Sequence, residues 1–284
     1  VSTRTLQVFG QDVLARSHIC STQGGVDMGH IAFNLYIEAG GYCPAHCHFC
    51  TGYKTYYHVD VDKLRRVISE LSEKNLLHRI SITGAEPFVC QELDDILDAC
   101  RGYMVSVNTS SVGLDKHAKL KNISVLSDIH VSRHHYDDKV NDSIFKIKTM
   151  TARELSRLNL PISLSCNLMK SYIGDAIEIK RYLEFAVSVG ARFVGLVGLM
   201  NRTPFCNSEQ VDYESIELAV SDGFLFETYR TDQENCKCDN YTYYHDGGKL
   251  EFYMRKRERQ SPYMGAWVFS NNQLTTGFGG KVLL

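Results

Sequence analysis

The stretch YCPAHCHFC, residues 42–50, sets Cys43, Cys47 and Cys50 in a C-x3-C-x2-C pattern. That spacing lets three thiolates converge from one loop on a single inorganic centre, as iron–sulfur ligands do. Zinc sites use similar intervals, and His46 or His48 would then supply a fourth ligand. A second polar stretch, HVSRHH at 130–135, carries His130, His134 and His135, with Asp137 close behind. Alternate side chains of a strand face opposite sides, so the three imidazoles do not converge simply on one metal. His134 and His135 are instead expected to touch substrate or move a proton, because strand C-termini in α/β folds face the reaction cavity.

Something must hold these groups in place, and the hydrophobic pattern says what. IAFNLYI (31–37) reads as a strand running into the cysteine loop. Leu64, Val67, Ile68 and Leu71 then recur at helical spacing, behind Asp60 and Asp62 as candidate caps. The alternation continues with strand 79–83, helix 91–101, strand 104–108, short helix 114–121, strand 128–132 and helix 143–158. Strand 162–168, helix 176–190 and strand 192–199 complete it. Six such alternations predict right-handed crossovers and a largely parallel sheet. From about residue 224 the pattern changes: FLFETYR, NYTYYH, KLEFYMR and AWVFS read as antiparallel strands, with HDGGK and SNNQ as turns.

The chain has 284 residues, a formal net charge of -2 and ten cysteines. Interspersed charges leave no duplex nucleic-acid footprint. MRKRER (254–259) reads as the solvated side of a hairpin strand. No window is long and apolar enough for a membrane span, and the cysteines suit a reducing compartment, so the expected location is cytoplasmic. Cys20, Cys90, Cys100 and Cys166 read as small apolar core residues.

TGAEP (83–87) follows at the next strand end after the cysteine loop. The cysteine pattern, with Phe49 before its last thiol, together with Gly84, Ala85, Glu86 and Pro87, resembles the radical S-adenosylmethionine (SAM) superfamily. These stretches are similar to its cluster loop and its Gly-Gly-Glu-Pro motif. Alanine replaces the second glycine and forfeits its freedom at positive φ, so the geometry of this turn is where the motif is tested. The resemblance covers roughly residues 30–200. It implies an α/β fold, a partial (β/α)6 barrel; joined to the change of pattern near residue 224, this places the barrel over 1–223, including an N-terminal extension, and a C-terminal antiparallel β extension over 224–284.

It also implies that Cys43, Cys47 and Cys50 hold three irons of a [4Fe-4S] cluster, leaving the fourth for SAM. The reduced cluster would cleave SAM to a 5'-deoxyadenosyl radical that abstracts hydrogen from substrate, the hard chemistry belonging to the cofactors. Gly84 to Pro87 would bond the amino group of SAM, and Phe49 would belong to the same site. In motif style the chain is most similar to the GTP cyclase of molybdenum-cofactor synthesis, matching VNTSS (107–111) and HVSRHH to two of its segments. On that match Asn108 and Ser132 bond the ribose or polar end of SAM, and Arg133 pairs with its carboxylate. Many relatives carry a second iron–sulfur cluster; Cys206, Cys236 and Cys238 are its candidates here, with a structural thiol role favoured. The expected substrate is a small polar organic molecule such as a nucleotide or nucleoside, with flavodoxin or ferredoxin as electron donor. The alternatives are a peptide maturase that cross-links or epimerises, and a non-catalytic zinc or iron–sulfur interaction module.

Overall fold

The computed structural model describes residues 33–40, 42–50, 56–200, 203–221, 228–231, 239–256, 266–277 and 281–283. Cys20, Cys236 and Cys238 lie outside them. The first half runs β1 (Phe33–Glu38), α1 (Val61–Glu73), β2 (Leu77–Thr83), α2 (Leu93–Ala99), β3 (Val105–Thr109) and β4 (Leu126–Ser132). It continues through α3 (Asp138–Phe145), α4 (Ala152–Leu155), β5 (Ile162–Leu168), α5 (Ala176–Ser188) and β6 (Phe193–Gly198). After α6 (Pro204–Ser208) and α7 (Tyr213–Ser221) come β7 (Thr228–Thr231), β8 (Asp239–His245), β9 (Gly248–Arg255), β10 (Ala266–Ser270) and β11 (Gln273–Thr276).

Strands β1 to β6 pair in sequence order, every neighbour parallel, so each crossover lays its covering element on one face. Helix α1 forms where expected. Asp60 caps it by accepting the Lys63 N–H at 2.9 Å, and its Leu64, Val67, Ile68 and Leu71 are buried. Ile80, Ile82, Val105, Val107, Ile129, Val131, Ile162 and Leu164 meet such helices in one continuous apolar cluster. The residues between them face the other way and are polar: Arg79, Ser81, Ser106, Asp128, His130 and Ser163. A closed (β/α)8 barrel fills that interior with branched apolar side chains; this one does not.

Two helical expectations need correction. The segment 143–158 is two helices, because Asp137 starts α3 early by accepting the N–H groups of Lys139 and Val140, and Lys146 ends it at φ 56°. Thr151 and Glu154 then open α4 with a reciprocal capping box. The stretch at 114–121 is a 3-10 helix, Leu114–Lys119.

The C-terminal strands do more than extend the sheet antiparallel. Asp246 and Gly247 (φ 46° and 77°) turn β8 into β9, and Asn271 and Asn272 (φ 48° and 60°) turn β10 into β11, as the two turn sequences predict. However, β9 pairs parallel with β6, and β10 pairs parallel with β1. The sheet order among the described residues is β11-β10-β1-β2-β3-β4-β5-β6-β9-β8-β7. The six strands are thus flanked on both edges by a parallel strand from the C-terminal region. Packing explains the capture of β10. The Trp267 indole lies edge-on to Phe33 at 5.9 Å and donates to the Leu76 carbonyl at 3.2 Å. The Asn272 side chain accepts from Asp60 N–H and donates to the His58 carbonyl, pinning the second turn to the start of α1. Among the described residues no helix is long and apolar enough to cross a membrane.

Candidate functional site

The cysteine loop leaves the C-terminal end of β1 and is fixed from both sides. Glu86 N–H donates to the Tyr42 carbonyl at 3.1 Å, joining the loop to the GAEP turn. On the far side His46 N–H donates to the Phe145 carbonyl at the end of α3, at 2.9 Å, and Ala45 is buried between. Cys50 N–H closes a turn onto the Cys47 carbonyl. Cys43 and Cys47 are half-buried and Cys50 is exposed.

The GAEP turn resolves the question raised by Ala85. Positive φ falls on Gly84, at 108°, and not on Ala85, so alanine there carries no left-handed strain. A Cβ on Gly84 would sit 3.1 Å from Glu38 Cα and 3.2 Å from Ala39 N, so glycine is what lets this turn close on the end of β1. Glu86 is fully buried and accepts four hydrogen bonds. Phe88 N–H and the Thr109 hydroxyl bind one oxygen at 3.2 and 2.6 Å, while Ser110 N–H (2.7 Å) and the Ser110 hydroxyl bind the other. Burial pushes its carboxyl above the ordinary range, and the four donors oppose that push. The turn is thereby locked to the end of β3. Thr109 and Ser110 escaped the sequence reading; a buried carboxylate at the end of the neighbouring strand, more than twenty residues earlier in the chain, gave no local signal for them.

Asn108 points to the polar face and donates to Ser81 Oγ at 3.1 Å. Ser132, half-buried, shares that face with Ser165, its partner across β4 and β5. The next residue must turn away, and Arg133 does. Its guanidinium donates to the carbonyls of His135 and Met150 (2.8 Å each) and Tyr136 (3.2 Å), pairs with Asp138 at 2.5 Å, and lies over the Phe185 ring of α5. This clamps the β4–α3 connection from the helix side and departs from the cofactor-carboxylate pairing expected from the sequence.

His134 is buried. Its Nδ1 accepts Asn167 N–H at 3.1 Å, so the ring proton sits on Nε2. Burial, and behind it the Arg133 charge, lowers its pKa to about 3, which holds it neutral. His135 accepts Asp137 N–H and packs on Tyr136. His130 bonds Asp128 at 3.0 Å, and Ser163 donates to the same carboxylate; the three histidines do not gather. Among the described residues no three His, Cys, Asp or Glu side chains close on a single ion. Three thiolates that each take a different iron need not do so. His48, one imagined zinc ligand, instead packs its ring against Phe205 at 5.2 Å. The donor set of the loop, three thiols with no carboxylate among them, fits iron–sulfur ligation.

Cys206 is buried among Ile144, Met169 and Leu199, against Phe49, the surroundings of a small apolar residue. Cys100 and Cys166 are core residues, while half-buried Cys90 donates its thiol to Glu92. At Gly195 in β6 the space is filled from β9: a Cβ there would lie 2.5 Å from the Tyr253 hydroxyl.

Residues 37–161 match the family model of the Radical SAM superfamily. No curated protein sequence matches the chain. Among solved structures, Streptococcus suis SuiB bound to S-adenosylmethionine is similar at TM-score 0.62 and 14% identity, covering 95% of this chain and 65% of that one. SuiB bound to its precursor peptide SuiA is similar at TM-score 0.55 and 16% identity, covering 74% and 48%. The chain thus spans about half to two thirds of the SuiB chains it matches, and at these identities the likeness is one of fold.

Proposed function

We propose that this chain, whose residues 37–161 match the Radical SAM superfamily model, is an enzyme whose Cys43, Cys47 and Cys50 hold a [4Fe-4S] cluster beside a seat for SAM. When bound, that pair supplies a 5'-deoxyadenosyl radical able to abstract hydrogen from a substrate. The observation that carries the reading is the Glu86 N–H bond to Tyr42, which ties the thiol loop to the GAEP turn. Gly84 closes the turn on β1, and Glu86, held by Thr109 and Ser110, keeps it there. Asn108 and Ser132, on the polar face at the strand ends, are proposed to hydrogen-bond SAM.

The substrate is a small polar organic molecule, a nucleotide or nucleoside being one kind. The inward face of the strands supports this, since Arg79, Ser81, Ser106, Asp128, His130 and Ser163 make it hydrogen-bonding rather than oily. Flavodoxin or ferredoxin is the proposed electron donor. A second reading, modification of a peptide, is favoured by the likeness to SuiB, seen in one structure with a precursor peptide. The test is anaerobic reconstitution followed by dithionite and SAM: the protein turns brown and forms 5'-deoxyadenosine. Zinc without iron, and no cleavage, would support a non-catalytic module instead. Deuterium transfer into 5'-deoxyadenosine from labelled nucleosides, or from labelled peptides, decides between the two substrate readings.

A further inference from the structure

His134 lies two residues past the end of β4, and three rings meet there. Its imidazole stacks on Phe145 at 4.9 Å and 14°, and Phe49 meets it edge-on at 4.9 Å and 86°. Phe49 lies between Cys47 and Cys50 in sequence, so the last turn of the thiol loop leans on this imidazole. Phe145 reaches the same loop a second way, through its carbonyl and the His46 N–H. The histidine is itself held on two sides. Its backbone N–H donates to Asn141 Oδ1 at 2.8 Å, Asn141 being fully buried and bonded to Thr149, and its Nδ1 accepts from Asn167 at the end of β5. A phenyl ring would stack as well but would leave the Asn167 N–H without an acceptor. Imidazole supplies both a flat ring and an acceptor, and the neighbouring Arg133 charge helps keep it uncharged.

We propose that His134 is the positioning residue of the thiol loop: it sets the Phe49 ring, and through it the orientation of Cys50 and the seat of SAM. This rests on the function proposed above. It assigns His134 no proton transfer.

The test measures SAM affinity of the cluster-loaded protein by titrating the change that SAM causes in the electron paramagnetic resonance spectrum, with iron content read beside it. His134→Ala is expected to keep its iron and bind SAM about three- to tenfold more weakly, the range of an aromatic pair. Phe49→Ala is expected to do the same, and the double variant to be less impaired than the product of the two. His134→Phe separates positioning from stability: it keeps SAM affinity near the parent while its urea midpoint falls. Parent affinity in His134→Ala, multiplying losses in the double variant, or a His134→Phe loss as large as that of alanine would overturn the inference. Should His134→Ala fail to fold, Phe145→Leu carries the same prediction from the opposite face of the ring. A parent protein without iron, or without any spectral response to SAM, would instead sink the proposed function.

Discussion

Glu86 gives the sharpest prediction, because each of its two oxygens accepts one backbone N–H that cannot be reoriented: Phe88 on one, Ser110 on the other. The hydroxyls of Thr109 and Ser110 can rotate to accept instead of donate; the amides cannot. Glu86→Gln keeps the shape but turns its donor-only amide NH2 toward one of these N–H groups, whichever way it flips. Leaving one buried donor unpaired costs about 1–3 kcal/mol. Glu86→Ala leaves both amides without acceptors and a void in a fully buried site, so its cost rises to about 3–5 kcal/mol. Urea unfolding reads both directly as a lower midpoint at unchanged slope. The Gln variant should also lose order in the GAEP turn, seen as faster amide exchange at Phe88. A Glu86→Gln protein within about 0.5 kcal/mol of the parent would show that the carboxylate does not hold this turn.

His134 gives the pH dependence. Its folded pKa, about 3, lies below the ordinary 6.5, so unfolding takes up a proton between those values. The stability it contributes is complete above pH 6.5 and is lost as pH falls toward 3. Urea midpoints of parent and His134→Phe across that window should converge at low pH; parallel curves would contradict the buried neutral imidazole. Gly195→Ala should cost about 1–3 kcal/mol by driving its methyl into the Tyr253 hydroxyl. The cost should largely vanish in a Tyr253→Leu background, and thermal melts of the four proteins check it.

What was legible in the sequence was whatever a short window specifies. The six alternations showed in their apolar periodicity, the two tight turns in their Asn and Asp-Gly chemistry, and the thiol loop in its spacing. The strand partners of the C-terminal region were not, because KLEFYMR and AWVFS look alike whether they pair with a hairpin neighbour or with β6 and β1; the sheet edge decides. The helix at 143–158 failed for a local reason, since its apolar period hid a left-handed residue at Lys146 and a second cap at Thr151. At the site, Arg133 next to Ser132 shows the limit of motif matching. One step along a strand reverses the face, and the residue expected to grip a cofactor grips the β4–α3 connection instead.

Whether three thiols of one loop hold the metal is decided by iron counting on Cys43→Ala/Cys47→Ala/Cys50→Ala. The anaerobically reconstituted parent should hold iron at the level of at least one [4Fe-4S] cluster per chain and cleave SAM, and the triple variant should lose the cleavage and that cluster's iron. Iron remaining in the variant without cleavage would point to a second centre involving Cys206, Cys236 and Cys238. A triple variant that kept its full iron and its cleavage of SAM would contradict the account.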